Sequence, residues 1–251
     1  MIKIFHFIGT LILLFVSTIA TAQLNDTLKY KRTPASHFIK PLVLPTVCIG
    51  YGLVALGNHE LKSINHNIKQ SIQKYYPNFS TSIDDYLQFT PVVAVYVLNG
   101  AGIHGKNNFR DRTMIYGIST LIIATTDFSL KYITQEQRPD GSNFLSFPSG
   151  HTATAFAAAE FLHQEYKDIS VWYGIAGYTA AVATGVLRMY NNRHWLSDVV
   201  AGAGIGILAT KASYWMYPAI KKIFFKNKAM HTRAIPYYNG NAGGILLTYN
   251  F

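Results

Sequence analysis

The sequence predicts an all-α protein: a six-helix bundle associated with a membrane and ending in a short β-like tail. Three observations carry that reading. Hydrophobic residues make up 49% of the 251 positions and charged residues only 14%, where soluble domains carry about a quarter. The apolar residues fall into six segments, roughly 38–57, 88–103, 112–133, 149–165, 171–189 and 197–217, each of helix length and rich in Ala, Gly, Val, Ile and Leu. Near the end, Leu247, Tyr249 and Phe251 alternate with more polar neighbours, as a strand does.

In chain order, Lys3 precedes the apolar run Ile8–Val16, and Ala20-Thr21-Ala22 then precedes Gln23. A charged start, an apolar core and an Ala-x-Ala end predict a secretory signal peptide over 1–22. Residues 23–37 are polar and basic, a linker or surface arm. The helical domain is expected over 38–217. Within it, 58–87 is polar with scattered Leu, Ile and Tyr, a loose pattern compatible with an amphipathic surface helix. Gly202 and Gly206 make a Gly-xxx-Gly face that lets helices approach closely. Residues 218–251 form the tail: a basic run (Lys221, Lys222, Lys226, Lys228), then β-like sequence from Pro236 with Asn239-Gly240 as a turn signal.

Charge narrows the partners. Lys and Arg outnumber Asp and Glu by 22 to 12, which favours anionic partners such as phosphates and acidic lipids. Nucleic acid is disfavoured, because no basic helix, zinc spacing or single-strand-binding signature accompanies the charge. The single cysteine, Cys48, excludes an internal disulfide and a cysteine metal cluster.

Three clusters carry chemistry: Lys131 through Arg138-Pro139, then Pro148-Ser149-Gly150-His151, then Arg188 through His194 to Asp198. Pro148, Ser149 and Gly150 have a plain explanation as the stop-and-cap of a helix. The three clusters together ask for more. In a bundle of consecutive antiparallel helices the 3–4 and 5–6 connections fall at one end, so Lys131, Arg138, Ser149, His151, Arg188, His194 and Asp198 converge. Three cations around two histidines, with one carboxylate nearby, form a cradle that an anion would neutralise. A phosphate suits guanidinium forks and the free N–H groups of a helix start. Asp198 can accept a hydrogen bond from one ring nitrogen of His194 and leave the other as a nucleophile. His151 is placed to protonate the leaving oxygen and later to activate water. Ser149, the Gly150 backbone and the cations would hold the remaining phosphate oxygens.

These clusters resemble the signature motifs of the type 2 phosphatidic acid phosphatase family, whose fold is shared with vanadium haloperoxidases. That family's pattern is Lys-x6-Arg-Pro, Pro-Ser-Gly-His, then Ser-Arg-x5-His-x3-Asp. The chain matches at Lys131, Arg138 and Pro139, at Pro148–His151, and at Arg188, His194 and Asp198; Leu187 stands where the family has serine. The resemblance implies phosphate ester hydrolysis through a phosphohistidine, without a metal cofactor. The apolar segments and basic surface favour a phosphorylated lipid: phosphatidate, phosphatidylglycerol phosphate, lipid A phosphate or a polyprenyl pyrophosphate. The rivals are a vanadate-dependent haloperoxidase and a non-catalytic phosphate-binding envelope protein.

Topology is less direct. Several segments are shorter than the ~20 residues of a crossing, and mean hydropathy is a modest +0.14. Six crossings after a cleaved signal would put the 3–4 connection in the cytoplasm. The basic loops at 29–40, 106–112 and 221–228 favour the opposite orientation. The expectation is a cell-envelope protein whose site faces the periplasm: one segment does not cross, or the bundle is only partly embedded, or the protein is periplasmic and its helices pack against each other. His37, His59, His66, His104 and His231 are expected to have no catalytic role. Asp127, four before Lys131, is a candidate partner for it. Arg193 faces substrate or solvent, and Trp195 is a packing or anchoring residue.

Overall fold

The structure, a computed structural model, describes residues 34–224, 232–238 and 243–249. The signal-peptide reading and most of the polar linker lie outside these residues. Eight helices follow in order: α1 (Pro34–Gly57), α2 (His59–Tyr75), α3 (Ile83–Leu87), α4 (Thr90–Gly100), α5 (Phe109–Thr134), α6 (Gly150–Tyr166), α7 (Val171–Tyr190) and α8 (Leu196–Phe224). Strands β1 (Thr232–Tyr238) and β2 (Gly243–Tyr249) close the chain. Each of the six apolar segments forms a helix, and the polar stretch 58–87 contributes α2 and α3.

The helix starts follow local chemistry. Asn58, Asn108, Ser149 and Ser170 each cap a helix by accepting a backbone N–H with the side-chain oxygen, which satisfies one of the otherwise orphaned donors. Pro218 lies inside α8 without ending it, so Lys221 and Lys222, assigned to the tail by sequence, belong to the helix. There they oppose the negative end of the helix dipole.

Residues up to Ser213 form one compact unit. At its centre is α6, whose Ala153, Ala155, Ala157, Ala158, Ala159 and Phe161 are fully buried. Small residues on α6 meet small residues on α8. A Cβ at Gly206 would stand 2.2 Å from the Ala153 carbonyl oxygen, and one at Gly202 would stand 2.6 Å from that of Ser149. The Gly-xxx-Gly face is therefore a backbone-to-backbone contact that no larger residue could occupy. Phe147, Phe156 and Phe161 fill the space around it, each stabilising the fold by about 1.5–3 kcal/mol through burial.

Two helices carry stretches long and apolar enough to cross a membrane, Lys40–Gly57 within α1 and Phe109–Thr134, which is α5. Only 22% and 17% of those stretches are buried, so they are not core helices of a soluble kind. Val43, Val47, Leu53 and Val54 on α1, and Leu121, Phe128 and Ile133 on α5, are exposed. Apolar surface of this extent suits a bilayer rather than water.

The second unit begins at Tyr214. Its strands pair antiparallel, Thr232 opposite Tyr249 through Tyr238 opposite Gly243. The predicted β-like tail is a hairpin, with β1 starting four residues before Pro236. The Asn239-Gly240 turn lies outside the described residues.

Candidate active site

The site is assembled where the connection between α5 and α6 meets the connection between α7 and α8. The α5 helix ends at Gln135, a left-handed cap at φ 45° whose N–H donates to the Lys131 carbonyl. The chain then makes a small loop. Arg138 N–H donates to the Asn143 carbonyl, and Gly141 N–H to that of Arg138. Gly141 holds φ 72°, a conformation that glycine enters without steric cost. This loop turns Arg138 towards Arg188, His194 and Asp198.

On the α6 side, Ser149 is completely buried as the N-cap, and its Oγ lies 2.8 Å from Thr152 Oγ1. The structure gives this hydroxyl a capping role, in which it accepts the Thr152 N–H. Gly150 has a steric reason. A Cβ there would sit 3.2 Å from Asp127 Oδ2. His151 stands in the first turn, where free helix N–H groups give a positive local field.

On the other side, α7 ends at Tyr190, and the Asn191-Asn192 turn, with Asn192 at φ 57°, leads to His194. Arg188 and His194 are buried and Asp198 fully so. Two bonds lock the connections together. Ser149 N–H donates to the Asp198 carbonyl at 3.1 Å, and Ser146 Oγ–H donates to Asp198 Oδ2 at 2.5 Å. Around these bonds Arg138, Arg188 and His194 lie within electrostatic reach of one another, Arg188 also acts on His151, and Lys131 pairs with Asp127 beside Gly150.

The Asp198–His194 pair differs in detail from the expected hydrogen bond. His194 Nδ1 lies 3.4 Å from Asp198 Oδ2, an ion-pair contact without hydrogen-bond geometry. Asp198 Oδ2 already accepts from Ser146 Oγ and from the Trp195 N–H at 2.9 Å. These bonds fix the carboxylate against which the His194 ring rests.

The expected single carboxylate is a larger correction. Asp84 Oδ2 holds Arg188 Nη1 at 2.8 Å, and Asp85 Oδ1 lies 2.8 Å from His151 Nε2. Asp127 Oδ2 holds Lys131 Nζ at 2.7 Å, and Asp140 Oδ2 holds Arg193 Nη1 at 3.0 Å. With Asp198, five of the chain's twelve acidic residues lie at this site. The physical reason is that concentrated positive charge in a partly dry site needs local partners in the resting state. Asp84 and Asp85 reach the site from α3, and the sequence carried a signal for them: they are its only adjacent acidic pair.

Pairing leaves some polar atoms idle. The Nε groups of Arg138 and Arg188, Nδ1 of His194, and one carboxylate oxygen each of Asp127 and Asp198 are buried without a hydrogen-bond partner. Burial, with Arg188 and Arg138 nearby, pulls the His194 pKa below the ordinary histidine value against the opposing pull of Asp198. Burial and then Arg188 lower His151 as well, while Asp85 and Asp84 oppose them. Arg138 is lowered by burial first and then by Arg188. Both histidines are therefore biased towards the neutral form in the resting site. Among the described residues, no group of three His, Cys, Asp or Glu side chains could hold a metal ion.

Residues 112–222 match the family model described as the PAP2 superfamily. A curated relative, the lipid A 1-phosphatase of Porphyromonas gingivalis, is 38% identical over 155 residues, 61% of this chain. That match spans only about a third (35%) of the relative's length. Two solved structures are also similar. The LpxE of Aquifex aeolicus has a TM-score of 0.44 at 22% identity, with 58% of this chain and 93% of the other covered. A membrane-spanning PAP2-type phosphatidylglycerolphosphate phosphatase from Bacillus subtilis has a TM-score of 0.46 at 22% identity, over 71% and 98%.

The PAP2 match begins at Arg112 and so leaves out α2 and α3, which complete the surroundings of the site. On α2, Asn65 is buried, donates to Ser197 Oγ at 2.9 Å and accepts the Ser197 N–H. Lys69 Nζ donates to the Pro139 carbonyl at 2.5 Å and lies over the Trp195 ring. Trp195 packs against His66 and donates its Nε1–H to the Gln137 carbonyl, a packing role that also ties the two loops together. Arg193 faces Asp140. Leu187, where the family has serine, makes no side-chain bond, and its carbonyl accepts the Asn191 N–H.

Proposed function

We propose that this protein is a PAP2-type, metal-independent phosphatase of lipid phosphates that works through a phosphohistidine on His194. The observation that supports the reading is a cluster in which Arg138 and Arg188 each keep a buried Nε–H without a partner beside His194, with His151 paired to Asp85 alongside. A tetrahedral dianion supplies what those groups lack: acceptors for guanidinium N–H and a centre for a neutral imidazole to attack.

In the proposed reaction the substrate phosphate lies against Arg138, Arg188, Lys131 and the N–H groups at the start of α6. Salt links to Asp84 and Asp127 hold Arg188 and Lys131 in place, so little is spent on ordering them. His194, neutral because it is buried, attacks phosphorus through Nε2 while Nδ1–H turns to Asp198. The P–O bond to the lipid breaks, and His151 gives its proton to the leaving oxygen. In the second step water loses a proton to His151 and attacks phosphorus, which releases inorganic phosphate and restores His194. The positive groups stabilise the charge that builds on the phosphoryl oxygens in both steps.

For substrate, the reading favours a lipid A-type 1-phosphate. The support is the 38% identity to a lipid A 1-phosphatase, together with the exposed apolar faces of α1 and α5. Those faces would sit in the bilayer and present the site at its periplasmic surface.

The test is inorganic phosphate release in detergent with chelator present, from lipid A, phosphatidate, phosphatidylglycerol phosphate and a polyprenyl pyrophosphate. Chelator-resistant release that His194→Ala abolishes, greatest on lipid A and from its 1-position, is the expected result. No release from any of them by folded protein would remove the phosphatase reading.

A further inference from the structure

Asp85 is the neighbour of His151 to which the proposed reaction gives no task. It belongs to the one adjacent carboxylate pair in the chain, and the two side chains take different partners. Asp84 is fully buried and holds Arg188 Nη1. Asp85 is half-exposed, with Oδ1 2.8 Å from His151 Nε2 and 3.9 Å from Arg188 Nη1. The short helix α3 that carries them is pinned to the end of α7. Asn191 Nδ2 donates to the Thr81 carbonyl and to Asp84 Oδ1, and the Thr81 N–H donates to Asn191 Oδ1. Asp85 is thus held in place by its surroundings rather than carried on a free loop.

We propose that Asp85 is a positioning residue for the general acid: it holds the Nε2–H of His151, so that Nδ1 delivers the proton to the leaving oxygen. This rests on the phosphatase reading above. The charged groups facing His151 are Asp84 and Asp85 from α3 and Arg188 from α7, with Asp127 and Lys131 from α5 beside the adjoining Gly150. Burial and Arg188 both disfavour an imidazolium, yet a general acid must begin as one. Asp85 makes the direct hydrogen bond that favours it. In the first step the Nδ1 proton passes to the leaving oxygen as the P–O bond breaks and the bond to His194 forms. His151 is then neutral, with its remaining proton on Nε2 against Asp85. The Nδ1 lone pair is free to take a proton from water in the second step, which returns the imidazolium. One carboxylate thereby sets which nitrogen works in both steps.

The test compares Asp85→Asn with wild type on a lipid phosphate and on p-nitrophenyl phosphate, using the full chain in detergent. The phenolate leaves without protonation, so removing a general-acid aid spares its first step, which is read as the single-turnover burst of leaving group because the second step is common to both substrates. The expected result is a fall in the burst rate on the order of ten- to a hundredfold on the lipid and under about threefold on the aryl ester. The high-pH limb of the lipid profile should also move to lower pH, with Asp85→Glu recovering part of the loss. Equal losses on both substrates would overturn the proposal, since that is the mark of general damage to the fold. A gain on both would also overturn it, because Asp85 would then be an obstacle in the site. A readout without turnover separates this inference from the phosphatase reading: NMR titration of the His151 ring. The ring pKa should be lower in Asp85→Asn, and an unchanged titration overturns the proposal even if phosphate release is normal. No release by wild type on any substrate would instead remove the phosphatase reading, with the titration still deciding whether Asp85 holds His151.

Discussion

Two of the places where the unit that ends at Ser213 buries charge are finished differently. In the cluster around Glu160, deep between α6, α7 and α8, the carboxylate is saturated. Its Oε1 accepts from Lys211 Nζ and Gln164 Nε2, both at 2.6 Å, and its Oε2 accepts from the Tyr178 hydroxyl. At the mouth of α6 the charged groups are just as crowded, yet Arg138, Arg188, His194 and Asp198 each keep one buried polar atom unpartnered. Leaving such an atom unmade costs about 1–3 kcal/mol, a cost with no structural return. Idle buried atoms also occur singly at His163 Nδ1, beside Glu160, and at Arg112 Nη1; what sets the mouth of α6 apart is that four such groups share one place, as a site that receives an anion would.

Two substitutions should pull these regions apart. Replacing the proposed nucleophile, His194→Ala, is expected to lower phosphate release by at least about a thousandfold, with the thermal midpoint in detergent changed little. Glu160→Ala should do the reverse. It strands Lys211 in a buried position, a loss of about 3–5 kcal/mol of stability, while protein that remains folded turns over normally. If Glu160→Ala abolished turnover in folded protein, or His194→Ala unfolded the chain, the distinction would collapse.

The same contrast explains what the sequence disclosed. The helices were legible because their apolar runs have helical length and their ends carry caps such as Ser149 and Ser170. The cations and histidines were legible because their spacing is local, from Lys131 to Arg138 and from Arg188 to Asp198. What the sequence hid depends on contacts across the chain. Asp84 meets Arg188 at a separation of 104 residues, Asp85 meets His151 at 66, and Asn65 meets Ser197 at 132. No period or spacing encodes such pairs. Ser149 shows the opposite limit, since one hydroxyl suits both a helix cap and a phosphate and spacing does not separate the two. Lys221 and Lys222 show a third: the basic run from 218 reads as the start of a tail, whereas α8 continues to Phe224.

A smaller effect sharpens the idea that the arginines are only partly occupied. Arg188→Lys keeps a charge that Asp84 can hold but removes the idle Nε–H and the planar fork. Folding should be nearly unaffected, whereas kcat/KM should fall on the order of ten- to a hundredfold, equivalent to one or two charge-assisted hydrogen bonds. The corresponding change in the other cluster, Lys211→Arg, should act on thermal stability alone. A loss of kcat/KM from Lys211→Arg matching that from Arg188→Lys would show that the two clusters are coupled.

The smallest expected effect is in pH. Burial leaves His194 with a pKa below that of an unfolded histidine, about 6.5. Below that value the unfolded chain binds a proton that the native site refuses, so the unfolded state holds more protons and stability rises with pH. The contribution is complete above the unfolded value and is lost as pH falls towards the folded one, at no more than about 1.4 kcal/mol per pH unit for one group. His151 is lowered in the same direction, so His194→Gln should flatten the acid side of a stability–pH curve without abolishing it. Phosphate should act against the same slope, because a bound anion favours protonated histidines beside it. Denaturant unfolding between pH 5 and 7.5, with and without inorganic phosphate, measures both. A wild-type slope unchanged by phosphate would mean that the anion does not reach His194, and the unpartnered atoms at the mouth of α6 would then need another occupant.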